Sequence, residues 1–374
     1  MKAAKQLTKG QRRALEAARA RPVGPRMGPA NWDENLAMYG HGAEREGESE
    51  SERVEPNPTG TADAPARRWR REEIPIPKDE REAEASRFRL FWRAARGSEL
   101  GSWDKNKAFE RVRRPVGRTV IPGKWVFDLK TEKEDGVQWV TRFKARYVAK
   151  GFRQVPGQDY TATFAPTPRL ETVRAMLMVT LLWSVVLHSM DVKTAFLIPK
   201  LPPGEEVHLE PPFGDEPPPD ITPDYVYKLL RCVYGLKQSG RYWHKEVSGY
   251  LRRLGFVPLH ADPCLFILKN KAGEAVCMLV VHVDDLLIGA DEPFLSQVKA
   301  KLNGQYEMKD LGEVSEYLGI RMRRSADGKI IEMDQTASIE DLLRDYQMEN
   351  SNGTVSTPMS PKGARTGVEA GPLG

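Results

Sequence analysis

Apolar residues along the chain become periodic only after residue 84. Residues 1–84 are rich in Arg, Glu, Gly, Ser and Pro, and their few apolar residues follow no period. Such a segment buries too little apolar surface to offset the entropy that ordering costs. The sequence therefore predicts a disordered, low-complexity charged extension over residues 1–84. A folded region over residues 85–345 and a linker or tail over residues 346–374 are predicted to follow it.

Helical spacing of apolar residues marks five segments of the folded region. Gly97 and Gly255 are predicted to close two of these helices, because glycine readily adopts the backbone conformation of a helix C-terminus. Thr167 is predicted as an N-cap, with Pro168 in the first helical position. The predicted helices cover residues 84–97, 168–185, 239–254, 293–302 and 339–346.

Period-two patterns predict strands between these helices. Residues 124–130 and 137–142 are predicted as the two strands of a hairpin, with Glu134-Asp135-Gly136 as its turn. Residues 275–288 are apolar except at Asp284-Asp285, which predicts a buried strand, a tight turn and a second strand. The other non-helical predictions are a strand over residues 317–322 and a Pro-rich loop over residues 202–223.

Net charge, cysteine spacing and the lengths of apolar runs indicate which classes of protein the sequence fits. The 374 residues include 57 Lys and Arg against 52 Asp and Glu, a net charge of +5 that permits a polyanionic partner without requiring one. Cys232, Cys264 and Cys277 are scattered, so neither a disulfide framework nor a zinc knuckle is predicted, and an intracellular, reducing location is expected. The sequence contains no run of 18 apolar residues, so no membrane span is expected.

Adjacent carboxylates at Asp284 and Asp285 are the sharpest chemical feature of the sequence. Burial of charge in an apolar hairpin is costly, and two neighbouring carboxylates repel each other unless a cation lies between them. Mg²⁺ is the natural cation, because it is a hard ion that prefers oxygen ligands. A hairpin turn with two solvated aspartates is the alternative interpretation.

Asp191 lies at the end of a short predicted strand. It becomes a candidate metal ligand only in combination with Asp284. A third carboxylate from a distant strand would complete a site for two metal ions. Phosphoryl transfer depends on such positioning and charge neutralisation more than on side-chain chemistry. A turn former or helix N-cap is the alternative role for Asp191 alone.

Two further clusters are suited to phosphate groups. Strand alternation places Arg142, Lys144 and Arg146 on one face, where they could bind a nucleoside triphosphate or a template backbone. Gly235 would let a nucleotide approach the backbone, and Lys237 could reach its phosphates. The alternatives are a solvated basic face and an ordinary loop before a helix.

Nine sequence blocks in order resemble the copia-type retrotransposon reverse transcriptases, over about three quarters of the chain. Any one block would be weak evidence, whereas the whole series is specific. The blocks are KAR at 144–146, VAKGF at 148–152, TFAP at 163–166, DVKTAFL at 191–197, YGLKQ at 234–238, HVDD at 282–285, MKDLG at 308–312, YLGI at 317–320 and STPM at 356–359.

The resemblance implies an α+β fold, a right-hand polymerase with fingers, palm and a partial thumb. Its palm would be an antiparallel sheet backed by helices, with Asp191 and Asp284 on neighbouring strands. Asp191, Asp284 and Asp285 would be the catalytic, metal-binding carboxylates for two Mg²⁺ ions, with Mn²⁺ as a possible substitute. The backbone carbonyl of Val192 would also touch metal.

The resemblance also implies roles around the substrates. Lys144 and Arg146 would hold the triphosphate, and Phe196 would exclude a ribose 2′-hydroxyl. Lys309 would protonate pyrophosphate. The nucleotide pocket would be lined by Gly235, Lys237 and Gln238. Primer and template would be contacted by His282, Leu318 and Gly319.

Three residues depart from the family pattern. His282 stands where the family has an aromatic residue before Val-Asp-Asp, so rate or fidelity could differ. Gly240 replaces the usual proline, which loosens a turn, and Ala162 replaces an acidic residue. None of the three removes a catalytic carboxylate.

These implications lead to one leading hypothesis and two alternatives. The leading hypothesis is an RNA-directed DNA polymerase whose partners are an RNA or DNA template-primer and deoxynucleoside triphosphates, in a cytoplasmic particle or the nucleus. The sequence shows no RNase H, protease or integrase part, so a fragment of a polyprotein is expected. An inactive or domesticated remnant that binds nucleic acid without polymerising is the first alternative. A dead element without a stable product is the second.

Overall fold

The computed structural model describes residues 68–215 and 224–350. These residues belong to two compact units, which divide between Glu313 and Val314. The single folded region predicted over residues 85–345 therefore spans two units in the structure. Residues 1–67, 216–223 and 351–374 lie outside the described residues, and with them most of the predicted extension and tail.

Helices and mainly antiparallel strands alternate along the described residues, which agrees with the expected α+β class. The helices are α1 (Glu80–Ala85), α2 (Arg89–Lys105), α3 (Leu170–Trp183), α4 (Ser239–Arg253), α5 (Phe294–Gln305) and α6 (Thr336–Asp345). The strands are β1 (Trp69–Arg70), β2 (Phe109–Arg113), β3 (Val120–Ile121), β4 (Gly123–Glu134), β5 (Val137–Ala149), β6 (Leu187–Val192), β7 (His208–Leu209), β8 (Tyr225–Leu229), β9 (Val257–Pro258), β10 (Leu265–Lys269), β11 (Ala275–His282), β12 (Asp285–Ala290), β13 (Met308–Glu313), β14 (Glu316–Tyr317), β15 (Ile320–Arg324) and β16 (Ile331–Asp334).

Residues 69–85 are ordered in the structure, contrary to the predicted disorder up to residue 84. Strand β1 pairs with β5, with Trp69 opposite Val140. The Trp69 ring meets Phe88 edge-on at 5.1 Å between ring centroids, and Ile74 is fully buried. The few apolar residues here have no local period, but they find partners far along the chain, which a local pattern cannot reveal.

Helix α2 runs eight residues past the end predicted at Gly97, to Lys105. Trp92 and Trp103 are both fully buried on this helix, so its apolar face extends beyond the glycine. Burial of these large side chains outweighs the cost of about 1 kcal/mol that glycine adds within a helix.

Strands β4 and β5 form the long hairpin that the sequence predicts, with β1 as a third strand on the outer side of β5. Asp135 and Gly136 connect the two strands with φ angles of 50° and 79°. Two consecutive positive φ angles match the twist of a two-residue hairpin, and the Asp-Gly dipeptide tolerates them. The predicted hairpin is confirmed and extends to Ala149.

The segment predicted as a loop over residues 202–223 contributes a strand in its described part. Strand β7 pairs with β8 and, in parallel, with β3. With β2 they form a four-stranded sheet in the order β2-β8-β7-β3. A two-residue strand carries no detectable period, so its neighbours alone determine it.

The central sheet has six antiparallel strands in the order β13-β6-β12-β11-β10-β9. Helices α4 and α5 pack against it through one buried cluster that includes Trp243, Val247 and Val298. Helix α3 contacts β12, where Gly289 leaves room for the side chain of Thr180. The central sheet therefore buries its apolar strands beneath helices and carries polar residues at one end.

Helix α3 begins at Leu170 rather than at the predicted Pro168, and its N-cap is Arg169. The cap is supplied from elsewhere, because Asp262 accepts a hydrogen bond from the backbone N–H of Arg169 at 3.0 Å and another from the Thr172 hydroxyl. Asp262 is almost fully buried. A carboxylate about ninety positions away thus replaces the local cap that the sequence predicts.

The second unit contains β14, β15, β16 and α6. The strand predicted over residues 317–322 is interrupted, because Leu318 and Gly319 form a turn with φ angles of 52° and 72°. The three strands lie in the order β14-β15-β16. Helix α6 has no buried residue, and Ile339 and Leu342 are both more than half exposed.

Within residues 68–215 and 224–350, no helix combines the length and apolar character that crossing a bilayer requires.

Candidate active site

The turn between β11 and β12 places the paired carboxylates at one end of the central sheet. His282 and Asp285 are Cα partners at the ends of the two strands, so Val283 and Asp284 form a two-residue connection. Val283 has a φ of 55°. A β-branched residue rarely adopts this angle, and such backbone strain persists only where surrounding contacts impose it.

Two hydrogen bonds from distant elements hold this turn. The Trp243 indole Nε1–H of α4 donates to the Val283 carbonyl. The Val192 N–H at the end of β6 donates to the Asp284 carbonyl at 2.9 Å. Trp243 is 1% exposed, so the core of the protein anchors the turn directly. Trp243 lies within the helix that the sequence predicts over residues 239–254.

Asp191 lies beside this turn. It is the Cα partner of Asp285 on β12 and, on its other side, of Lys309 on β13. Cross-strand partners project from the same face of a sheet, so Asp191 and Asp285 share a face. The structure thus brings together the three aspartates that the sequence selected. Asp284 lies in the turn itself rather than on a neighbouring strand.

Partial burial and mutual repulsion raise the pKa values of two of these carboxyls. Burial raises the pKa of Asp191, and the Asp284 carboxylate raises it further. Burial also raises the pKa of Asp285, with smaller contributions from Asp284 and Asp191. The pKa of Asp191 is lowered in turn by the positive charges of Lys144, Lys130 and Lys309.

The donor chemistry of this cluster suits a divalent cation. Carboxylate oxygens are the ligands that Mg²⁺ prefers, and a cation would relieve the repulsion that raises these pKa values. In the described part of the chain, however, no three Asp, Glu, His or Cys side chains are close enough together to hold a metal ion. A site with three carboxylate ligands therefore requires side-chain rotation from this arrangement.

Cations of the long hairpin lie within electrostatic reach of the carboxylates. Lys144 is half-buried, and burial lowers its pKa, with a further reduction from Arg146. Asp128 on β4 is the Cα partner of Lys144. The predicted basic face therefore exists, and the charge of Lys144 extends to Asp191 on the central sheet.

Arg146 belongs to a stack with two aromatic rings. Its guanidinium lies over the Tyr234 ring, 5.1 Å from the centroid. Tyr234 meets Phe196 edge-on, also at 5.1 Å between centroids, with 75° between the ring planes. Phe196 lies in a short 3₁₀ turn just after Asp191 and packs against the central core. The sequence predicted roles for Phe196 and Arg146, but none for Tyr234.

Glu99 of α2 is a further acidic group near these cations. Its carboxylate accepts a hydrogen bond from the Trp103 indole at 3.1 Å. Burial raises the pKa of Glu99, which Arg146 and Lys144 partly counteract. Glu99 lies beyond the predicted end of its helix, so sequence reasoning missed it.

Gly235 and Lys237 lie on the exposed loop before α4. Gly235 has a φ of 90°, and a Cβ there would come within 2.1 Å of the Ala149 carbonyl. Glycine is therefore required for the close approach of this loop to the end of β5. Lys237 is exposed, and its ammonium lies 5.0 Å from the centroid of the Tyr160 ring.

Gln238 does not agree with the prediction that its side chain lines a nucleotide pocket. It is fully buried, and its Oε1 accepts a hydrogen bond from Gln154 Nε2 at 2.9 Å. Its own Nε2 donates to the Asp159 carbonyl at 2.8 Å and to Glu205 at 3.3 Å. Gln238 therefore fixes the loop from inside, where a substrate cannot touch its amide.

The predicted primer and template residues are divided between the two units. His282 is partly buried at the end of β11, next to the carboxylate turn. Leu318 and Gly319 form the β14–β15 turn of the second unit, where Leu318 is half exposed. The prediction that these two contact primer remains an expectation.

Residues 106–361 match the family model described as reverse transcriptase (RNA-dependent DNA polymerase). The chain is 35% identical over 272 residues to the retrovirus-related Pol polyprotein from transposon RE1 of Arabidopsis thaliana. This match covers 72% of the present chain and 18% of that polyprotein. The corresponding polyprotein from transposon TNT 1-94 of Nicotiana tabacum is 32% identical over 263 residues, or 70% of this chain and 19% of the relative.

The chain thus spans about a fifth of the length of these curated relatives. A solved structure described as the foamy viral protease-reverse transcriptase dRH in complex with ds DNA covers 67% of this chain and 36% of that chain. Its TM-score is 0.35 at 12% identity, a likeness too weak to carry an argument.

Proposed function

Because the chain belongs to the reverse transcriptase (RNA-dependent DNA polymerase) family, of the copia type, we propose that it is an active RNA-directed DNA polymerase. It adds deoxynucleotides to a primer 3′-hydroxyl on an RNA or DNA template. The observation that carries the proposal is the juxtaposition of Asp191 with the Asp284-Asp285 turn at one end of the central sheet. The central sheet is then the palm, and the long hairpin belongs to the fingers.

The carboxylates have the central role in this proposal. Asp191, Asp284 and Asp285 would hold two Mg²⁺ ions, with Mn²⁺ as a substitute, and the Val192 carbonyl would be a further ligand. When bound, these ions lower the pKa of the primer hydroxyl and neutralise the charge of the triphosphate. The strained turn, anchored by Trp243, keeps Asp284 and Asp285 in place beside Asp191.

Substrate binding falls to the residues around the carboxylates. Lys144 and Arg146 bind the triphosphate, since the charge of Lys144 acts on Asp191 and the Arg146 guanidinium lies over the Tyr234 ring. Phe196 excludes the 2′-hydroxyl of a ribonucleotide, and Gly235 and Lys237 line the exposed side of the pocket. His282 lies near the primer terminus. Lys309, the Cα partner of Asp191 on the neighbouring strand, is the candidate for protonating pyrophosphate.

Primer extension tests the proposal. Oligo(dT) on poly(rA), with magnesium and dTTP, is extended by the parent protein, whereas Asp284→Asn reduces the rate roughly a thousandfold or more. Asp135→Asn is the matched control, because Asp135 occupies the exposed two-residue turn of the long hairpin. This control retains parental activity.

Two outcomes would contradict the proposal. Extension by Asp284→Asn at the parental rate would remove the metal assignment. A folded parent that does not extend the primer, but binds it in a salt-sensitive manner, would instead support the inactive remnant.

A further inference from the structure

We propose that Tyr234 is a specificity-determining positioning residue, which supports Phe196 from behind and couples it to the triphosphate-binding Arg146. This inference rests on the proposed polymerase function and deepens it. Phe196 can exclude a 2′-hydroxyl only if its ring cannot retreat. The Tyr234 ring restricts such a movement, because it contacts the Phe196 ring edge-on at 5.1 Å between centroids.

The same ring also contacts the phosphate-binding side of the site. The Arg146 guanidinium lies over Tyr234 at 5.1 Å from the centroid. Aromatic pairs and cation–π contacts both depend on ring position. A shift of Tyr234 would therefore change the positions of the sugar-excluding ring and of the triphosphate-binding cation together.

The backbone of Tyr234 is fixed independently of its ring. The Tyr234 carbonyl accepts a hydrogen bond from the Ala149 N–H at 2.9 Å, at the end of β5. Next to it, the Gly235 carbonyl approaches Gly151 so closely that a Cβ there would lie 2.1 Å from it. Removing the Tyr234 ring should therefore leave the course of the chain unchanged.

A buried amide pair fastens the loop that follows Tyr234. Gln154 Oε1 accepts a hydrogen bond from the Lys237 N–H at 2.8 Å, while its Nε2 donates to Gln238 at 2.9 Å. Both glutamines are at most 4% exposed. Buried, fully used amides of this kind rigidify a structure. The Tyr234 ring therefore stands on a rigid base between Phe196 and Arg146.

The role of Tyr234 is tested by measuring how strongly the enzyme prefers a deoxynucleotide to a ribonucleotide. The ratio of kcat/KM for dTTP to that for UTP is determined on poly(rA) primed with oligo(dT). Tyr234→Ala should lower this ratio about tenfold. Tyr234→Phe keeps the ring and should retain the parental ratio, whereas a role of the hydroxyl would make the two variants alike.

A double variant distinguishes an effect of Tyr234 that acts through Phe196 from a general disturbance of the active site. If Tyr234 acts through Phe196, adding Tyr234→Ala to Phe196→Ala should lower the ratio no further. Tyr250→Ala is the matched control, because Tyr250 is a partly buried tyrosine with an edge-on contact to Tyr306 at 5.4 Å, outside the site. This control should leave the ratio unchanged.

Three results would overturn the inference while leaving the polymerase proposal intact: an active Tyr234→Ala variant with the parental ratio, equal losses in Tyr234→Ala and Tyr234→Phe, or additive losses in the double variant. If Tyr234→Ala lacks a cooperative thermal unfolding transition, Tyr234→Leu takes its place with the same expected loss. A folded parent without any extension would contradict the proposed function itself.

Discussion

Two hairpin turns of the same length differ in how their strained backbone is maintained. Asp135 and Gly136 take positive φ angles in an exposed turn, and both residue types tolerate them. The turn at Val283 and Asp284 also contains a positive φ, but on a β-branched residue. The first turn follows from its own residues, whereas the second needs help from other parts of the protein.

That help comes from the indole of Trp243 and the backbone of Val192, which bond to the two carbonyls of the turn. Local strain costs on the order of 1–3 kcal/mol and persists only where the surrounding structure imposes it. Here the strained turn presents Asp284 and Asp285 next to Asp191. The comparison indicates that tertiary hydrogen bonds, and not the conformational preferences of its own residues, stabilise the carboxylate turn.

Of the substitutions that test this difference between the turns, loss of the Trp243 indole donor should have the largest effect on stability and on primer extension. Trp243→Phe keeps an aromatic ring against Tyr306 but removes the N–H that holds Val283. We expect a loss of about 1–3 kcal/mol in the free energy of unfolding. Since the carboxylates would shift, primer extension should fall roughly 10- to 100-fold. Chemical denaturation and extension assays measure the two effects.

The loss of primer extension in Trp243→Phe should exceed the loss caused by a similar Trp→Phe substitution at another buried position. Trp103→Phe serves as the comparison, because it removes the indole hydrogen bond that Trp103 donates to Glu99 within helix α2. Equal losses of extension in the two variants, at equal stability, would show that the carboxylate turn does not depend on its indole contact.

Placing valine in the other turn should have a smaller effect. Gly136→Val forces a β-branched residue into a φ of 79° without any tertiary contact to support it. We expect a loss of about 1–2 kcal/mol in the free energy of unfolding. Extension under conditions where the protein stays folded should be unchanged. Unaltered stability would mean that turn residues do not determine this hairpin.

The charge of Asp285 should make the smallest contribution to stability, and pH dependence reveals it. The pKa of Asp285 is raised in the folded protein by burial and by Asp284 and Asp191. A raised carboxyl pKa destabilises the fold once pH exceeds the unfolded value near 4, and the full penalty is present above the folded value. Asp285→Asn should therefore raise the free energy of unfolding at pH 8 in EDTA.

The same substitution should make a much smaller difference near pH 3, where the carboxyl is mostly protonated in both states. Thermal unfolding of parent and variant at the two pH values gives the comparison. A gain of equal size at both values would indicate a packing effect instead of relieved charge repulsion.

The sequence by itself determined the features that arise from neighbouring residues. Alternating apolar positions and Asp135-Gly136 predicted the long hairpin, and the apolar run over residues 275–288 predicted the strands around Asp284. Helical spacing located α4 to within one residue. Ordered motifs identified the family, because the blocks are long and occur in series.

Only the tertiary structure decided which distant groups meet. Asp262 caps α3 in place of Thr167, Gln238 lies inside the protein, and Trp69 and Arg70 pair with β5. Tyr234 acquired a role only through its contacts with Phe196 and Arg146. The physical reason is range: backbone preference and periodicity act over a few residues, whereas burial, hydrogen bonding and charge act between any groups that the folded chain brings together.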